Sequence, residues 1–124
     1  AWQLQKRGAA QVTVRDMVRA AQAEMRDSDL QPTRAREILI RLTALYGNCM
    51  DAVREADHAY SVVLLRFLDA DEAANRAKIR AETSLEYLRR QEARDTTELV
   101  LESIRSLKVT LKSIEEEMRL AGRA

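Results

Sequence analysis

Residues 97–121 read TELVLESIRSLKVTLKSIEEEMRLA, and this stretch decides the fold. Thr97, Val100, Ile104, Leu107, Leu111, Ile114, Met118 and Ala121 follow one another at steps of three, four, three, four, three, four and three. Apolar residues recurring about every 3.5 positions form one seam along a helix, which a second helix must cover. Gly122 follows as a natural terminator. Thr83 and Glu86 have the T-x-x-E spacing of a capping box. The sequence therefore predicts one long helix from Ser84 to about Ala121.

Working toward the N-terminus, the same freedom from helix breakers persists. Between Pro32 and Gly122 there is no second proline and one interior glycine, Gly47. Glycine costs a helix about 1 kcal/mol against alanine and proline about 3. A helix is predicted to start at Pro32, a residue pre-set for the first turn. Its stripe runs through Ile38, Leu42, Leu45, Cys49, Ala52, Ala56, Ala59, Val63, Phe67, Ala70, Ala74 and Ala77. The stripe passes Gly47-Asn48 in register, so continuity is expected there rather than a kink. The break between the two long helices is expected at Ala81 to Leu85. Before them, Val14, Met17, Val18, Ala21 and Met25 mark a short helix over about 14–26, capped by Thr13 with Asp16 in its first turn. Asp27-Ser28-Asp29 ends it, because these side chains compete for backbone hydrogen bonds. The expected fold is all-α: a long antiparallel helical hairpin, coiled-coil-like, with a short N-terminal helix packed on it. Residues 1–12 read as a flexible arm whose large apolar groups are Trp2 and Leu4, and 13–124 as a single helical domain.

Composition agrees. Of the 124 residues 46% are apolar, 33% charged and only 4% aromatic, the profile of long helices with a thin aliphatic seam. The net charge of +1 offers no global field toward nucleic acid or an anionic membrane. Arginine outnumbers lysine by 17 to 4. One cysteine, Cys49, allows no intrachain disulfide and fits a reducing, cytoplasmic setting. No apolar run is long enough to span a membrane, and 1–11 lack the apolar segment of a signal peptide.

Catalytic chemistry finds little to work with. Three glycines leave no phosphate-cradling loop. Glu55 and His58 have the Glu-x-x-His spacing of di-iron bundles, but His58 is the sole histidine. A homodimer would be needed to supply two such motifs. The acidic runs at Asp69, Asp71 and Glu72 and at Glu115, Glu116 and Glu117 read as solvated helix faces. The chain is expected to be no enzyme and to need no cofactor or metal.

Two features point to partners instead. Val62, Leu64, Leu65, Phe67 and Leu68 sit in a segment apolar on nearly every side, which a helix wet on one face does not tolerate. With Ile104, Leu107, Leu111 and Ile114 they are the candidate oligomer or partner interface. Arg76, Lys78, Arg80, Arg89, Arg90 and Arg94 outnumber Glu82, Glu86 and Glu92 around the expected hairpin tip. That basic tip is a candidate for phosphate contact, against the plainer reading of i,i+4 pairs such as Glu86–Arg90.

The segment Ala74-Asn75-Arg76-Ala77-Lys78-Ile79-Arg80-Ala81-Glu82-Thr83-Ser84, with Tyr87 and then Ile104-Arg105-Ser106-Leu107-Lys108, resembles small helical proteins of tailed-phage and prophage genomes. The similarity covers roughly 14–121 and carries no catalytic residues. It implies a phage-related helical accessory protein acting inside the host cell. The first expectation is a non-enzymatic protein–protein interaction module, an oligomeric scaffold, adaptor or inhibitor, forming a homo-oligomer, binding another protein, or both. The alternative is a DNA-associated accessory protein using the basic tip.

Overall fold

A computed structural model describes residues 13–27, 29–70 and 72–123. The expected N-terminal arm with Trp2 and Leu4, and also Ser28 and Asp71, lie outside the described residues. Among the described residues four helices follow in order: α1 Val14–Met25, α2 Pro32–Asp69, α3 Ala74–Glu82 and α4 Leu85–Arg123. The described residues contain no strand. The all-α hairpin with its short N-terminal helix is the fold observed.

Local chemistry accounts for the ends of the helices. Thr13 accepts a hydrogen bond from the Asp16 amide at 3.1 Å, and Asp16 accepts one from the Thr13 amide at 3.2 Å. This reciprocal box satisfies two amides that the first turn leaves unpaired. At the other end of α1, the Asp27 carboxylate accepts from the Asp29 amide at 3.0 Å and turns the chain toward Pro32. Helix α2 runs unbroken through Gly47, as the in-register stripe requires.

The hairpin reversal differs from the sequence expectation. It lies between Asp69 and Ala74, not at Ala81 to Leu85. Phe67 meets Arg80, Tyr60 meets Tyr87, Asp57 meets Arg90, and Cys49 meets Thr97, an antiparallel order in which α3 already belongs to the returning arm. Electrostatics explains the position. Carboxylates at 69–72 oppose the negative C-terminal end of a longer α2 and favour the positive N-terminus of α3. The alanine stripe through Ala70 and Ala74 offered no large apolar anchor to resist that, and both residues are exposed. Glu72 then folds back along α3 to reach Arg80 at 2.9 Å.

Thr83-Ser84 marks a break within the returning arm, and the cap there is Ser84 rather than Thr83. The Ser84 hydroxyl accepts from the Tyr87 amide at 3.2 Å and donates to the Ala81 carbonyl, closing α3 and opening α4. Thr83 instead donates back to the Arg80 carbonyl at 2.8 Å.

The chain divides into two compact units, to both of which α2 and α4 contribute. One comprises residues up to Leu42 and from Ser103 onward. Its buried residues, among those described, are Val18 of α1, Ala35, Ile38 and Leu42 of α2, and Ser103, Ile104 and Leu107 of α4. Polar ties frame them. Arg34 grips Glu24, Arg36 pairs with Glu115 at 2.7 Å, and the Gln22 amide donates to the Ser103 hydroxyl at 3.3 Å. The second unit, Thr43–Glu102, buries Cys49, Tyr60, Val63, Ala77, Ala81 and Val100. Here Tyr60, Val63 and Ala81 pack with Leu64, Phe67 and Tyr87. The Tyr60 and Tyr87 rings lie 5.6 Å apart, tilted by 53°, a favourable aromatic arrangement.

Candidate partner interface

The apolar belt of α2 divides between two tasks. Leu64 and Phe67 turn inward, packing on the Tyr60–Val63–Ala81 cluster within the chain. Val62 is half-buried. Leu65 and Leu68 remain exposed, at 57% and 38%. The residues that a partner can reach are therefore Leu65 and Leu68, three apart and on one side of α2.

Within the second unit, three exposed apolar residues that the heptad reading passed over lie on the returning arm. Ile79 of α3 is 63% exposed, and Leu85 and Leu88 of α4 are each 54% exposed. Leu85 and Leu88 also have the i,i+3 spacing of a single helix face, but they lie off the seam that continues through Tyr87. A search for a second apolar stripe in that window finds them.

The heptad residues of α4 are progressively less covered toward the C-terminus. Ile104 and Leu107 are buried in their own unit, Leu111 and Ile114 are half-buried, and Met118 is exposed. Ile104 and Leu107 are thus core residues, unavailable to a partner without unfolding.

Of the six basic residues proposed for the tip, all lie on the returning arm, opposite α2. Three are engaged within the chain. Arg90 donates to Asp57 at 2.8 Å with its guanidinium 4.6 Å from the Tyr60 ring centre. Arg94 reaches the same carboxylate at 3.2 Å. Arg80 holds Glu72 and lies 5.9 Å from the Phe67 ring centre. Arg76, Lys78 and Arg89 are exposed and form no ion pair among the described residues. Arg90 takes the cross-helix carboxylate instead of the helix neighbour Glu86, because a guanidinium seated on an aromatic face gains both contacts at once.

Cys49 is buried, and burial pushes its thiol up from its ordinary value, opposed in part by a hydrogen bond from Thr97. A thiol held protonated is a poor nucleophile, which fits its reading as a small core residue. Glu55 and His58 are both exposed on α2. Among the described residues, no three His, Cys, Asp or Glu side chains gather closely enough to hold a metal ion. No helix among the described residues is long and apolar enough to cross a membrane.

One open groove of about 360 Å³ lies between α2 and α4, lined by Met50, Val53, Arg94, Thr97, Glu98 and Leu101. No protein-family model, curated protein or solved structure matches the chain.

Proposed function

We propose that the chain is a non-enzymatic protein–protein interaction module that docks another protein through the apolar side chains flanking its turn. The observation that carries this reading is the set Leu65, Leu68, Ile79, Leu85 and Leu88, large apolar residues left exposed on both arms of one unit. Exposed apolar area of this kind is stabilised when a partner removes it from water, at roughly 25 cal/mol per Å². An adaptor, scaffold or inhibitor needs such a surface and no reactive group. The resemblance of 74–84 and 104–108 to small helical phage proteins supports an accessory role in the host-cell cytoplasm.

The test compares the wild type with Leu65→Glu/Leu88→Glu, both immobilised and exposed to host lysate at low and high salt. The expected result is a partner retained in high salt by the wild type and lost by the double variant. Capture that is equal for both chains overturns the assignment of this surface. A second reading, phosphate contact through Arg76, Lys78 and Arg89, predicts nucleic-acid binding that falls steeply with salt. It is the weaker reading, because Arg80, Arg90 and Arg94 are already committed within the chain.

A further inference from the structure

We infer that the groove between α2 and α4 is a self-association site, occupied by the same groove of a second copy related by a two-fold axis. The argument begins with charge order on α4. Arg94 and Glu98 are four residues apart, so both project from one helix face beside Leu101, and all three line the groove. When two such helices pack antiparallel about a two-fold axis level with residue 96, Arg94 of each copy meets Glu98 of the other. An isologous interface requires this self-complementarity, and the order basic-then-acidic about a centre supplies it.

The groove floor fits the same occupant. Met50 is exposed, Val53 and Leu101 are half-buried, and none of the three carries a polar group that would be stranded by closure. Glu98 is exposed and forms no ion pair among the described residues. Arg94 uses one nitrogen on Asp57 and is half-exposed, leaving further N–H donors for a carboxylate on a second copy. Apolar burial at the floor supplies the attraction, and the two symmetry-related ion pairs set the register. This surface lies apart from Leu65, Leu68, Ile79, Leu85 and Leu88, so its test is independent of the partner reading above.

The experiment is sedimentation equilibrium of the purified chain and three substituted forms. The wild type is expected to be a dimer. Arg94→Glu alone places glutamates at both positions, and Glu98→Arg alone places arginines at both. Each should dimerise at least about tenfold more weakly, because like charges then face each other twice. An equimolar mixture of the two should form a heterodimer close to wild-type strength, and the doubly exchanged chain R94E/E98R should recover as a homodimer. Circular dichroism checks folding, since Arg94→Glu also sets a carboxylate beside Asp57; Glu98→Arg disturbs no ion pair within the chain and keeps the test decisive. A wild type that is monomeric throughout, or a Glu98→Arg dimer as tight as the wild type, overturns the site. So does a mixture that associates no better than its components.

Discussion

Arg34 holds Glu24 through two parallel N–H···O bonds, Nε to Oε2 and a terminal nitrogen to Oε1, each 2.7 Å long. The two residues are ten apart in sequence, and the pair fastens the end of α1 to the start of α2. The hydrogen bonds from Arg34 hold the Glu24 carboxyl below its ordinary value, against a smaller opposing effect of burial, and the Arg34 guanidinium is raised in turn. A carboxyl whose pKa is depressed in the folded state stabilises the fold wherever it is ionised. That contribution is fully present above the unfolded glutamate value of about 4.3 and disappears as pH falls through the lower folded value. Asp16, held down by the Thr13 hydroxyl and amide, acts in the same direction. Thermal midpoints of wild type and Glu24→Gln should therefore differ at neutral pH and converge on acidification below about pH 4. A gap that stays constant with pH would show that the pair contributes through packing alone.

The heptad of α4 is continuous in sequence but not in burial, and stability should follow burial. Leu107 is fully buried, whereas Met118 is 54% exposed. Leu107→Ala should cost about 2–5 kcal/mol, the lost transfer energy plus the cavity left behind. Met118→Ala should change stability by less than about 0.5 kcal/mol. Urea denaturation of the two variants measures both. Equal losses would mean that the C-terminal turns are covered in solution.

These contrasts show what was legible in the chain. Helix type and the hairpin followed from periodicity, because the alternation of three and four at Val100, Ile104 and Leu107 has one physical solution. The Thr13 cap followed from a hydroxyl three residues before a carboxylate. The position of the turn did not follow, because Ala70, Ala74 and Ala77 continue the apolar pattern while offering little area to bury. Carboxylates at 69–72, first read as a solvated face, outweigh that stripe through the helix dipole. The interface was half legible. A segment apolar on all sides must be covered from several directions, yet the sequence could not tell that α3 would cover Phe67 and Leu64 and leave Leu65 bare. The pairing of Arg90 with Asp57 was hidden too, since it depends on the register across the hairpin, which the misplaced turn had shifted.

The choice between Thr83 and Ser84 as cap gives a sharp check on that register. Both residues carry hydroxyls, and the capping-box spacing favours Thr83. In the structure the Tyr87 amide is satisfied by Ser84, and no carboxylate reciprocates, so the cap acts without a box. Ser84→Ala should cost about 1 kcal/mol, the usual loss for an N-cap hydroxyl. Thr83→Ala should cost less, because its hydroxyl donates to a carbonyl that already accepts the Thr83 amide at 3.2 Å. Denaturant midpoints of the two variants would reverse their order if α4 began one residue earlier.

Gly47 provides the test of continuity in α2. The residue lies inside the helix, on an exposed position, and beyond its chain neighbours and the helix's own backbone an added Cβ would meet no atom within 4 Å. Nothing in the packing therefore calls for glycine there. Alanine is favoured over glycine in a helix interior by up to about 1 kcal/mol, partly because it restricts the unfolded chain. Gly47→Ala should raise the thermal midpoint by about 4 °C, with no change in helical signal at low temperature. If the substitution instead lowers the midpoint, α2 bends at this position in solution, and the glycine serves a flexure that an unbroken helix does not need. The sign of a single shift separates the two, because the steric cost of a methyl group at an open helical site is otherwise close to zero.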